Sequence, residues 1–231
     1  MRQVGTITTI AILVVLICSV GGYAWEVEYD ASTGLLPTSA SPPWKLFVQN
    51  DPTPTIADGI LRIQHTGSGN YVEYSREGCA IDAGVPVTVE ARMHVAGTSV
   101  GAARVSVQTD SGSACLNVYP DHLAAVDYPA GGWVTLSGDF TTFRAIRVAY
   151  DGGTRAYAWV DDQPAFSWGV PGQGQDGVNF GSDLGAGPCD SYWQYVAYSK
   201  EFLPVPEPSS LLALAGGLAG LGGMALRRRR R

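Results

Sequence analysis

Between Trp25 and Pro204 the chain lacks any 12-residue window with an apolar stripe at helical spacing, which argues against a helical bundle. Positive charge is also scarce there. Of 15 basic residues, Arg2 and Arg227–Arg231 belong to the ends, so residues 25–204 carry nine basic against 20 acidic groups, a net charge of −11. A basic footprint for nucleic acid is therefore absent, and polyanions or anionic membranes are poor partners for this segment. The three histidines, His65, His94 and His122, form no His-x-His or His-Glu-x-x-His spacing, so the usual zinc signatures are missing. No Cys-x-x-Cys pair exists either, which removes a zinc knuckle or a thioredoxin-like centre. Gly172, Gly174 and Gly177 spell Gly-x-Gly-x-x-Gly, but no helix follows them and the match reads as a loop.

What is present is period-two alternation. In "VPVTVEARMHV", Val87, Val89, Ala91, Met93 and Val95 alternate with Thr88, Glu90, Arg92 and His94, the pattern of a half-buried strand. Similar short runs begin near residues 60, 70, 103, 114, 123, 133, 144, 156, 165 and 192. Turn signals separate them, including Asp110-Ser-Gly, Gly131-Gly132 and Asp151-Gly-Gly. Ten or more short strands at this spacing predict one all-β domain over residues 25–203, an antiparallel two-sheet jelly-roll sandwich. Most of its tryptophans belong to the core of such a sandwich.

The two ends are of another kind. Arg2, an apolar run from Ile7 to Val20, and Gly22 and Ala24 before a polar stretch describe a secretory signal peptide over residues 1–24, cut after Ala24. An uncleaved anchor is the alternative. Export places Cys79, Cys115 and Cys189 in an oxidising compartment, which predicts one disulfide and one remaining thiol, with all three pairings open. At the other end, Leu211–Leu226 is uncharged and just short of the usual membrane span. Ser209, Ser210 and the snorkelling side chains of the five arginines that follow stretch it into an expected C-terminal transmembrane helix. The positive-inside rule keeps those arginines cytoplasmic and residue 204 outside. Pro206, Glu207 and Pro208, the apolar span and the arginine cluster together resemble the PEP-CTERM sorting signal of Gram-negative bacteria, over residues 204–231. The resemblance implies an exosortase as partner, a transient stay in the inner membrane, and release to the cell surface or surrounding exopolysaccharide.

The middle also resembles a family. "WEVEYDASTGLLPTSASPPW", "ADGILRIQ", "VTVEARMHV", "RAYAWVDDQPAF", "VNFGS" and "SYWQYVAYS" follow in the order of the concanavalin A-like lectin/glucanase domains, of the laminin-G-like kind. That superfamily includes glycan hydrolases, which need two convergent carboxyl groups. The glucanase pattern Glu-x-Asp-x-x-Glu is missing, and the alternation Glu26-Val-Glu28-Tyr-Asp30 reads as a solvated edge strand. No catalytic residue is expected, and no cofactor. Asp161-Asp162 offers oxygens of the type calcium takes, but a hairpin turn accounts for the pair. The expectation is a non-catalytic, lectin-like module that takes exopolysaccharide or another glycan and no nucleic acid, with a glucanase-type hydrolase or a purely structural matrix protein as alternatives. The candidate glycan-contacting residues are Glu90, Arg92 and His94, an outward polar row, with Tyr119 and Trp193 expected from neighbouring strands. Glu90 and Arg92 are expected to form an ion pair.

Overall fold

A computed structural model describes residues 27–67, 69–77, 85–109, 112–170, 177–182 and 187–203. The predicted signal peptide with Ala24, the sorting motif Pro206–Pro208 with its apolar span, and Cys79 lie outside these residues. In chain order the strands are β1 (Val27–Asp30), β2 (Lys45–Gln49), β3 (Thr55–Ala57), β4 (Ile60–His65), β5 (Tyr71–Glu77), β6 (Val87–Gly97), β7 (Ala103–Thr109), β8 (Gly112–Val118), β9 (His122–Asp127), β10 (Gly132–Ser137), β11 (Arg144–Tyr150), β12 (Arg155–Val160), β13 (Gln163–Gly169), β14 (Gly177–Ser182) and β15 (Cys189–Ser199). Helical structure among the described residues is confined to the single 3-10 turns Ala31–Thr33 and Pro37–Ser39. No helix among these residues is long and apolar enough to cross a membrane.

The strands form two antiparallel sheets packed face to face, the all-β sandwich expected from the alternation. The larger runs β13-β12-β11-β6-β15-β4-β3, with β1 added to β15, and the smaller runs β10-β9-β8-β7-β14-β5-β2. Strand β6 shows why the chain folds this way. Its odd positions Val87, Val89, Ala91, Met93 and Val95 are at most 1% exposed, while Glu90, Arg92 and His94 stand on the opposite, outer face. Strand β1 lies at an edge as expected, pairing with β15 alone, and it turns Tyr29 into the core while Asp30 stays exposed. Asp30 has a local task there, accepting the Ser32 N–H at 2.8 Å to cap the first 3-10 turn.

Phe180 of β14 is the centre of the core. Its ring lies 5.0 Å from Trp193, 5.1 Å from Trp44 and 5.2 Å from Tyr74, and Tyr29 stacks on it at 6.2 Å. The next residue, Gly181, has φ +154°, and a Cβ there would sit 2.0 Å from the Val72 carbonyl oxygen, so only glycine lets β5 approach β14 this closely. Cys115 on β8 and Cys189 at the start of β15 stand in different sheets, and no disulfide joins them.

Truncating the central ring should leave a cavity lined by four aromatic side chains. Phe180→Ala is expected to lower unfolding stability by about 3–5 kcal/mol, read as a shift of the urea midpoint at unchanged slope. A loss below about 1 kcal/mol would contradict this account of the core.

Candidate functional site

The outer face of the larger sheet carries the polar row, and its composition is set by one irregularity in β15. Trp193 pairs with Met93, and the next paired residue is Tyr195, opposite Arg92, so Gln194 is the extra residue of a β-bulge. The bulge keeps Trp193 on the inner face with Val196 and Tyr198, and turns both Tyr192 and Tyr195 outward beside the row. Trp193 is fully buried, and its indole N–H donates to Ser191 Oγ at 2.8 Å. It is a core residue and no stacking platform, which corrects the sequence expectation.

Glu90 does not pair with Arg92. Directly opposite it on β11 is Arg147, whose Nε and Nη2 donate to Glu90 Oε2 at 2.9 and 2.5 Å. The Tyr195 hydroxyl donates to the other oxygen, Oε1, at 2.7 Å. Both side chains of this pair are nearly buried, 13% exposed for Arg147 and 14% for Glu90. Burial, with the donation to Glu90 and its charge, pushes the Tyr195 phenol well above its ordinary pKa despite Arg92 and Arg147 nearby. Arg92 is exposed and donates its Nε to Gln194 Oε1 at 2.7 Å, so the bulge residue is what holds it.

His94 is part of an aromatic stack. Its ring lies parallel to Tyr192 at 4.5 Å and meets the edge of Phe143 at 4.5 Å. Its Nδ1 is buried without a hydrogen-bond partner among the described residues, and burial lowers the imidazole pKa. Tyr119 is off this face. It follows β8 in the smaller sheet and stacks on His122 at 4.1 Å. The candidates Glu90, Arg92 and His94 are thus brought together, whereas Tyr119 and Trp193 are not.

At the turn between β12 and β13, Asp161 and Asp162 adopt φ of 48° and 62°, the left-handed geometry of a tight hairpin. Burial would raise the Asp161 carboxyl, but the Ala145 N–H and Arg144, with Arg92 nearby, hold it below its ordinary pKa. Asp162 faces Arg147 at 3.4 Å. The turn and the arginines account for both carboxylates.

Residues that the sequence did not single out complete the face: Tyr192, Gln194, Tyr195 and Arg147. Arg147 was open to the same period-two argument, since Ile146, Val148 and Tyr150 alternate with it and are buried. The tyrosines were hidden by the bulge. Most described tryptophans are core as expected, Trp44, Trp159, Trp168 and Trp193 being buried, and the exception is Trp133, 60% exposed on β10.

Residues 204–231 match the PEP-CTERM protein-sorting motif, which marks an exported protein anchored transiently in the membrane through its C-terminus. No curated protein sequence matches the chain. Among solved structures, the chain is similar to the binding domain of botulinum neurotoxin DC in complex with rat synaptotagmin II, with TM-score 0.54, 7% identity, and 78% of this chain and 48% of that one covered. The same binding domain in complex with SialylT gives TM-score 0.55 at 7% identity, over 80% of this chain and 50% of the other. A sialidase gives TM-score 0.58 at 10% identity, over 76% of this chain and 18% of that one. The chain therefore spans about half of the toxin binding domains and a smaller part of the sialidase. Likeness at these identities shows the fold, an antiparallel two-sheet β-sandwich.

The stack around His94 makes a pH dependence. Folded His94 binds its proton less tightly than in the unfolded chain, so its contribution to stability is full above the ordinary imidazole pKa of about 6.5 and is lost as pH falls below it. The wild type should therefore lose more stability than His94→Gln between neutral pH and about pH 5. Parallel urea midpoints for the two proteins would contradict the lowered pKa.

Proposed function

We propose that the domain is a non-catalytic, lectin-like module that is exported, processed by an exosortase at its C-terminal motif, and held at the cell surface or in exopolysaccharide, where it binds a neutral glycan. The observation that carries this reading is the state of the polar row. Arg92 is exposed, is held in place by a neutral amide, and among the described residues pairs with no carboxylate. It stands between the Tyr192–His94 stack and the Tyr195 hydroxyl. A guanidinium fork beside flat rings suits the hydroxyls and apolar faces of a sugar. Supporting context comes from export and from the toxin binding domain whose structure was solved with SialylT.

Glu90 supports binding over hydrolysis. Each of its oxygens already accepts a hydrogen bond, from Arg147 or from Tyr195, which leaves it badly placed to protonate a leaving group. One observation favours a purely structural matrix role instead: the face is tied by its own pairs, including Arg62–Asp190 at 2.8 Å as well as Glu90–Arg147.

A glycan array probed with residues 25–203 separates binding from scaffolding, and release of reducing sugar separates both from hydrolysis. Arg92→Ala is expected to weaken glycan affinity by about ten- to a hundredfold at unchanged melting temperature, as for a lost hydrogen bond to a charged group. Turnover abolished by Glu90→Gln would overturn the proposal, and an array without any bound glycan would favour the scaffold. Mass spectrometry of the extracellular protein should find the chain starting at Trp25 and ending near Pro206–Pro208. Recovery of an intact Arg227–Arg231 end would refute the processing.

A further inference from the structure

On the opposite sheet, the hairpin of β9 and β10 carries two of the most exposed large apolar side chains among the described residues, Trp133 at 60% and Tyr128 at 56%. Strand β10 is the last strand of its sheet and pairs on one side only, with β9. Solvent-facing edges are usually shielded by charge or proline, and Gly132–Ser137 contains neither. An indole and a phenol kept in water on such an edge call for an occupant.

The hairpin is also held rigid. The Tyr128 N–H donates to the Gly169 carbonyl at 3.3 Å, and the Gly169 N–H donates back to Asp127 Oδ1 at 3.2 Å. The Gly131 N–H closes the turn on the Asp127 carbonyl at 2.8 Å. Gly169 fits against Pro129 so closely that a Cβ there would lie 2.5 Å from the proline ring. Strand β13 of the larger sheet therefore fixes the Tyr128 backbone, and a ligand meeting these rings pays little for ordering them.

Trp133 and Tyr128 border one small cavity of about 40 Å³, whose wall includes Asn117, Cys115 and the buried Trp168. That volume holds roughly three water-sized groups. No lining residue is charged.

We propose that this is a second glycan subsite: a neutral pyranose stacks its apolar face on Trp133, with Tyr128 at its side, and places its hydroxymethyl group in the cavity against the Asn117 amide. The uncharged lining selects a neutral sugar over a uronate or sulfated one, and the acidic charge of residues 25–204 acts in the same direction. The subsite deepens the glycan-binding reading but shares no residue with the polar row, so a domain with both would join two strands of polysaccharide.

The test uses the folded domain, residues 25–203, with laminarihexaose, cellohexaose and chitohexaose as probes. Trp133 is exposed while Trp44, Trp159, Trp168 and Trp193 are not, so the part of the iodide quenching that Trp133→Phe removes, whatever Trp25 adds to the rest, reports on Trp133. At least one probe should protect that signal, and Trp133→Ala should weaken binding of that probe by about tenfold or more at unchanged melting temperature. Tyr128→Ala should weaken it less. Unprotected Trp133, with binding that Arg92→Ala still removes, would overturn the subsite and leave the polar row standing. Protection of Trp133 with an unaffected Arg92→Ala would keep the subsite and overturn the row. If none of the three probes protects Trp133, or if sedimentation shows a dimer that Trp133→Ala dissolves, the subsite is refuted, in the latter case in favour of a second copy of the chain.

Discussion

The pairing of β15 with β6 across the bulge at Gln194 governs both sides of the larger sheet. Each strand runs for 11 residues, and they lie beside each other at the middle of the sheet. One inserted residue lets Trp193 and Val196, three apart, both reach the core, while Tyr192 and Tyr195 both reach the outer face. Without it the strand would keep strict alternation, and either Trp193 or Val196 would stand in water. The core depends on this register because Trp193 lies directly against Phe180 of the opposite sheet. The outer face depends on it because Tyr195 then meets Glu90, and Gln194 meets Arg92.

Electrostatics on that face follow from a shortage of positive charge. With nine basic against 20 acidic residues between 25 and 204, most arginines are committed to a carboxylate: Arg62 to Asp190, Arg104 to Glu73, Arg144 to Asp161, and Arg147 to Glu90 and Asp162. These pairs are not equal. Arg62–Asp190 and Arg144–Asp161 are well exposed and contribute about 0–1 kcal/mol each. Glu90–Arg147 is largely withdrawn from water, so removing either partner leaves a desolvated charge, which costs several times more. The pair therefore fixes the middle of the face in place. Arg92, one turn of the pleat away, is left to the amide of Gln194.

The fold was legible in the sequence because its signal is local. Alternation in β6, β4 and β11 is enough to assign their inner and outer faces, and a chain without any helical stripe has few other folds to choose. The site was less legible because its chemistry is non-local. Glu90 stands two residues from Arg92 in sequence, but the strand directly opposite it brings Arg147, and that register is not written in either strand alone. The motif "YWQY" gives no local sign that the chain bulges at its third residue, so Trp193 was placed outside. Tyr119 failed for a similar reason: its nearness to the row needed β8 and β6 to share a sheet, and they lie in different ones. That most tryptophans are core did not single out Trp133 as the exception, because nothing local in "GGWVTLSG" says that its strand lies at an edge.

The exit of the chain adds a direction to this surface. Thr88, at the start of the outward row on β6, donates its hydroxyl to the Glu201 carbonyl at 2.7 Å and accepts the Leu203 N–H at 2.9 Å. Leu203 is buried, and Phe202 packs edge-on against Tyr157 and Trp159. The last residues before the sorting motif at 204 are thus clamped to the same outer face, at the Thr88 end. At about 3.3 Å per residue, His94 lies roughly 20 Å further along the strand than Thr88. While the C-terminus is held in the membrane, the clamp therefore leaves the exposed Arg92 and the Tyr192–His94 stack at the distal part of the row, displaced from the point of attachment. The same three residues that end the described domain, Glu201, Phe202 and Leu203, fix where the chain leaves the face proposed to bind glycan.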